Sequence, residues 1–196
     1  KDKAQHKTAF VGRLKSFIKA FPNDPLALKS HKRLFDILFS EKNYVEALPI
    51  GEGIFAVEKN VENAQKILLI MFELQRYSDV QNHPVYSKFE SPQITEIKRE
   101  ASLKSAMLNS TAGNFDKYES DIKNYLSTKP SEEKSAVVYS DYFKKMIELN
   151  QFQKLDQEWK SLPASIKSKP SFNSIRSLFF DQTLNSGLLY AMPVFW

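Results

Sequence analysis

One recurrence limits what this chain can fold into more than any other feature. A short polar stretch followed by an aromatic residue returns four times, as Asn43-Tyr44, Arg76-Tyr77, Asn114-Phe115 and Gln151-Phe152. The aromatics are 33, 38 and 37 residues apart. Three positions past each one stands a small or apolar residue: Ala47, Val80, Tyr118 and Leu155. Upstream, Leu34 and Leu38 correspond to Ile67 and Met71, again 33 residues on. A period in this range belongs to stacked helix pairs, because one pair cannot bury its apolar face alone. Phe10, 34 residues before Tyr44, extends the series at the front, and Tyr190 extends it weakly at the back. On this reading Phe10 is the turn aromatic of a repeat whose first helix is missing or shortened to residues 1–7.

Helical spacing fills the intervals between the turns, and strand-like alternation is absent. Phe10, Leu14, Phe17, Ile18 and Phe21 form one stripe, closed by Pro22 and Asn23-Asp24-Pro25. The next stripe is Leu28, His31, Leu34, Phe35 and Leu38, starting where Asp24 can cap and Pro25 can take the first turn. Val61-Glu62-Asn63 opens a helix with Ala64, Ile67, Leu68, Met71 and Leu74 inward. Leu69, Ile70 and Phe72 make that helix apolar nearly all round, which predicts a central position. Further helices are expected over 93–111, 115–127, 132–149, 152–162 and 171–185, with 163–170 as a loop. Pro49 is expected to bend its helix or move its start, since its ring removes a backbone donor. Five glycines in 196 residues are too few for hairpin-dense β folds or glycine-loop nucleotide folds. The expected class is all-α, a right-handed superhelix of antiparallel helix pairs. It forms a single domain over 1–196 with turns near 43–44, 76–77, 114–115 and 151–152.

The segment Pro25 through Lys59, with Asn43-Tyr44-Val45-Glu46-Ala47-Leu48 at its turn, resembles the tetratricopeptide repeat family. The resemblance covers most of the chain as about four degenerate repeats. Phe35 stands where the family has a small residue, and Gly51 stands where it has a large apolar one. The resemblance implies an α-solenoid whose first helices line a groove for a protein partner. On that face lie Lys29, Lys32, Arg33 and Asp36, then Glu62, Gln65, Lys66 and Leu69 one repeat on, with Phe72 adding apolar surface. Such a strip, basic at one end, suits an acidic-hydrophobic peptide or an amphipathic helix. Chaperone-binding members of the family grip a terminal carboxylate with Lys and Asn. Lys32 could fill one of these positions, but Asp36 and Leu69 stand where the resemblance implies other residues, so no such clamp is expected.

Catalytic constellations are missing from the sequence. There is no Cys, and His6, His31 and His83 lie 25 and 52 positions apart without metal-ligand spacing. Gly51-Glu52-Gly53 lacks the strand and third glycine of a dinucleotide loop. Asn109-Ser110-Thr111 matches a glycosylation sequon by pattern only. The net charge of +5 is spread evenly, +3 over 1–98 and +2 over 99–196, which reads as a solvated mixed surface. Tyr139, Tyr142, Phe143, Lys144 and Lys145 come nearest to a stacking platform for single-stranded nucleic acid.

The expected function is a non-enzymatic protein-interaction scaffold without cofactor or metal. The alternatives are a helical-repeat RNA or single-strand binder, suggested by a pI of 9.2. Another is an accessory solenoid of a larger enzyme such as one in a surface-polysaccharide pathway. The longest strongly apolar run, Ile67–Phe72, is far short of the ~20 residues of a spanning helix. A soluble protein, cytoplasmic in preference to periplasmic, is expected. The apolar end Gly187–Trp196 suggests self-association, a fold-back onto the last helix pair, or a piece of a larger protein.

Overall fold

The computed structural model describes residues 2–186, and all regular structure among them is helical. Contacts divide the chain into two compact units, with the boundary between Ser105 and Ala106. Unit 1 contains α1 (Asp2–Ala20), α2 (Pro25–Ser40), α3 (Tyr44–Val57), α4 (Val61–Glu73) and the short α5 (Tyr77–Asn82). A 3-10 turn over Tyr86–Lys88 and most of α6 (Pro92–Thr111) complete it. Unit 2 takes the end of α6, then α7 (Phe115–Ser127), α8 (Glu132–Glu148), α9 (Phe152–Ser161) and α10 (Ala164–Lys167). A 3-10 turn at Pro170–Phe172 leads into α11 (Asn173–Ser186). Neighbouring helices pack pairwise in a helical-repeat arrangement: α1 on α2, α2 on α3 and α3 on α4 in unit 1. In unit 2, α8 packs against α7, α9, α10 and α11.

The recurrence seen in the sequence is a recurrence of backbone. Lys42, Gln75, Gly113 and Asn150 all take positive φ, at 58°, 59°, 74° and 56°. Each is followed by the polar residue and then the aromatic. The N–H of each residue after it reaches five residues back, Asn43 to Leu38 O, Arg76 to Met71 O, Asn114 to Asn109 O and Gln151 to Met146 O, all at 2.9 Å. A second bond, nested inside the first, reaches three residues back, as in Lys42 N–H to Phe39 O at 3.0 Å and Gln75 N–H to Phe72 O at 2.9 Å. These are Schellman turns, which satisfy the last carbonyls of a helix and reverse the chain within two residues. The carbonyls of Asn43, Arg76, Asn114 and Gln151 then accept from Ala47, Val80, Tyr118 and Leu155, opening the next helix. Those four residues are all buried.

Local chemistry explains the other boundaries. Asp24 Oδ1 accepts from Leu26 N–H at 2.7 Å, with Pro25 at the first helical position of α2. Asn60 Oδ1 accepts from Asn63 N–H at 2.9 Å to start α4. The helix α5 stops at Asn82 because Pro84 forces His83 out of the helical region, to ψ 125°. The His83 ring accepts from Val85 and Tyr86 N–H and stacks on Tyr86 at 4.1 Å, so it is a turn residue.

Three expectations need correction. Phe10 is no turn aromatic: α1 runs unbroken from Asp2 to Ala20, and Phe10 lies exposed along it. No Schellman turn precedes it, and the apolar stripe through Phe10, Leu14 and Phe17 is simply one face of one helix. Lys7–Glu41 at 2.6 Å and a Lys15–Glu46 ion pair tie α1 to the α2–α3 hairpin. The stretch 163–170 is not a plain loop, since Ala164–Lys167 forms a helical turn on α8. Pro49 does not move the start of α3, since the helix runs through it from Tyr44 to Val57. The positions from Gly187 on, including Tyr190 and the apolar end, lie outside the described residues.

Unit 1 has an aliphatic centre. Ile67, Leu68, Ile70 and Met71 of α4 are wholly buried, as the all-round apolar pattern requires. Around them pack Leu34, Leu38, Ile54 and Phe55. Each such side chain contributes about 1.5–3 kcal/mol when removed from water. Gly51 of α3 and Phe35 of α2 meet here. A Cβ on Gly51 would lie 2.7 Å from Phe35 Cε2 and 3.4 Å from Ile67 Cγ1. The Phe35 ring fills the place that a side chain at Gly51 would take.

Candidate functional site

The residues expected to line the first-helix face come from α2 and α4. On α2, Lys29, Arg33 and Asp36 are exposed. Lys32 is half-buried and donates to Glu58 Oε1 at 2.6 Å, at the end of α3. On α4, Gln65, Lys66, Leu69 and Phe72 are half-buried. Lys66 pairs with Glu62 at 2.8 Å across one helical turn. The Lys66 ammonium holds the Glu62 carboxyl below its usual range, first by hydrogen bond and then by charge, and the Lys32 charge adds to this. Lys32 and Lys66 are therefore each held by a carboxylate, Glu58 and Glu62 respectively. Phe72 turns its ring edge to Tyr77 at 5.4 Å and serves the Schellman turn. The exposed cations of this face are Lys29 and Arg33.

Unit 2 concentrates its chemistry in a polar cluster. Glu119 of α7 accepts from Lys123 at 2.7 Å and from Lys154 of α9. Lys123 also meets Glu158 at 3.3 Å, and the Lys154 ammonium sits 5.6 Å from the centre of the Phe115 ring. Burial pushes the Glu119 carboxyl up, but hydrogen bonds from Lys123 and Lys154 outweigh it and hold it below the usual range. The Tyr142 hydroxyl is sealed from solvent beside the Glu119 carboxylate. Burial and then the nearby Glu119 carboxylate push it above its ordinary range. The group is placed to hold α7 and α9 together.

The expected stacking platform is dismantled by burial. Tyr142 and Phe143 are 1% and 0% exposed, with Phe143 packed on Trp159 and Phe172 at 6.0 Å. They are core, so they present no face to a base. The sequon is also occupied: Asn109 Nδ2 donates to the buried Asp121 carboxylate at 2.8 Å, inside a helix. Gly51-Glu52-Gly53 lies within α3, away from any strand.

Sequence reasoning missed a cavity of about 530 Å³ in unit 1. It opens between the start of α2 and the second half of α3, under the α1–α2 turn, with Ala27, Leu28, Pro49, Ile50 and Ile54 in its walls. Asp24 and His31 supply polar atoms. The signal that could have found it is the small residue on each facing helix, Ala27 and Gly53. A Cβ on Gly53 would meet nothing within 4 Å.

Among the described residues no group of His, Asp and Glu is placed to hold a metal ion. No helix among them is long and apolar enough to cross a membrane. Comparison with protein-family models, with curated proteins and with solved structures finds no match to this chain.

Proposed function

We propose that this chain is a non-enzymatic protein-interaction scaffold of tetratricopeptide-like helix pairs, binding a peptide or partner helix on the exposed face of its first helices. The observation that carries the reading is the turn repeated four times in one geometry, each followed by a buried residue at one offset. Repeated helix pairs of this kind present successive first helices as an extended binding face. The face would use Lys29, Lys32, Arg33 and Asp36 of α2 with Gln65, Lys66, Leu69 and Phe72 of α4. Lys29 and Arg33 would meet an acidic segment, while half-buried Leu69 gives an apolar contact beside them.

Affinity capture from source-cell lysate tests this, with nuclease treatment and a salt series. The baits are the wild-type chain and a Lys29/Lys32/Arg33→Glu variant. A protein that survives nuclease and is lost with the variant is the expected result. Recovery of nucleic acid whose binding falls steeply with salt would replace the reading with a single-strand or RNA binder. Capture unchanged in the variant would remove this face from the site.

A further inference from the structure

The cavity under the α1–α2 turn has properties of its own. At about 530 Å³ it falls within the ~300–1,000 Å³ of pockets that take small ligands. Its apolar surface, however, continues beyond its mouth. Val57 in the wall is 68% exposed. Phe21 and Leu26, next in sequence to the wall residues Pro22 and Pro25, are 56% and 54% exposed. A small molecule filling the cavity would leave this apolar rim in water, whereas a helix laid across it would cover cavity and rim together.

The polar atoms restrict the occupant further. Asp24 gives the wall its charge, and no described cation pairs with it; one carboxylate oxygen caps α2. His31 Nδ1 lies 2.9 Å from Ala27 O, an atom that only accepts, so Nδ1 carries the hydrogen. The wall thus asks its ligand for positive charge beside Asp24.

We propose that this cavity is the docking site for the apolar side chains of an amphipathic partner helix carrying a Lys or Arg beside its apolar stripe. The site lies wholly within unit 1 and shares no residue with the Lys29–Phe72 face, so it stands or falls separately from that reading. Gly53 is central to it, because the absent side chain leaves the space the partner would enter.

The test uses the full chain with methyl-labelled Leu, Ile and Val. The probes are helical peptides of roughly 16 residues with Leu at i, i+3, i+4 and i+7 on a neutral Ala/Gln background, with Lys, Gln or Glu at one flanking position. The expected result is saturable shifts of the Leu28, Ile50, Ile54 and Val57 methyls, with the Lys peptide bound about fivefold tighter than the Glu peptide. Gly53→Leu fills the space without a Cβ clash and should weaken binding by at least about tenfold while melting no lower than wild type. Asp24→Ser keeps a capping oxygen but removes the charge, so the preference for Lys over Glu should vanish. Shifts confined to other residues, or none at millimolar peptide, overturn the proposal. So does full binding by Gly53→Leu, or an undiminished Lys preference in Asp24→Ser.

Discussion

In unit 1 the turn aromatics lean back on the helix they have just left, Tyr44 on Phe39 at 5.9 Å and Tyr77 on Phe72 at 5.4 Å, both edge-on. In unit 2 they reach forward instead, Phe115 to Tyr142 of α8 and Phe152 to Phe179 of α11. The backbone of the turn is the same in both units, but the partner three residues before the positive-φ residue differs. It is Phe39 or Phe72 in unit 1, and Ser110 or Ile147 in unit 2. With no ring behind it, the unit 2 aromatic is free to join the core of the following pair. The turn therefore fixes the reversal of the chain, and a neighbouring side chain decides which helix pair the aromatic stabilises.

The cores follow the same division, aliphatic around α4 and aromatic around α8. The largest expected effect comes from the aromatic side. Phe143 is wholly buried against Tyr139, Tyr142, Trp159 and Phe172. Phe143→Ala should cost about 3–5 kcal/mol. The denaturation midpoint read from Trp159 fluorescence, in a Trp196→Phe background, should fall accordingly. Hydrogen-exchange protection at Ile67–Met71 should persist at denaturant concentrations where Trp159 has already lost its native signal. Simultaneous loss of both signals would break the distinction between the units.

Acid should separate them next. In unit 2 the carboxyl of Glu119 is depressed in the fold, so its contribution to stability is complete above the ordinary glutamate range. That contribution is lost as pH falls through the folded value. Glu119→Gln, which keeps the shape but loses two charge-assisted bonds, should cost about 1.5–3 kcal/mol at neutral pH. Its stability should then change less between neutral and acid pH than that of the wild type. In unit 1, Glu62 is also depressed by its lysine, but its side chain is 76% exposed and water screens the pair. Glu62→Gln should change stability by less than about 0.5 kcal/mol. Urea titrations of the three proteins across the acid range provide the check, and equal acid responses would remove the contrast.

Much of the fold was legible because turns and helix starts are local. The pairs Asn43-Tyr44 through Gln151-Phe152 mark all four Schellman turns, and Ala47, Val80, Tyr118 and Leu155 mark the buried offset. Asp24 acts as a cap in the expected way. What hid the turn type is that, of the five described residues with positive φ, only Gly113 is glycine and only Asn150 is another residue that readily takes this conformation. Lys42 and Gln75 close their turns on a strained backbone that their sequence does not announce. Phe10 failed because an aromatic at the right spacing says nothing without the turn before it. The first-helix face was legible as a set of residues, but its ion pairs were not: Glu58 lies 26 positions from Lys32, at the far end of another helix. The cavity depends on two small residues facing each other across a hairpin, a tertiary fact with no period of its own.

The two glycines of α3 give the smallest effects and the sharpest comparison, since they lie two residues apart and differ only in what surrounds them. Both gain helix propensity on replacement by Ala, about 0.8–1 kcal/mol. At Gly51 the new methyl meets the Phe35 ring at 2.7 Å inside a filled core, and overpacking costs about 1–3 kcal/mol. Gly51→Ala should therefore be net destabilising by about 1–2 kcal/mol, and pairing it with Phe35→Leu should return most of that loss. At Gly53 nothing lies within 4 Å, so the propensity gain is unopposed and Gly53→Ala should stabilise by up to about 1 kcal/mol. A double-mutant cycle over Phe35 and Gly51, with Gly53→Ala as its internal reference, measures both signs by denaturation. A zero coupling energy would mean that the Phe35 ring and the missing side chain at Gly51 act independently. A large one would mean that the packing of this hairpin depends on the two as a pair, with the room at Gly53 left open beside it.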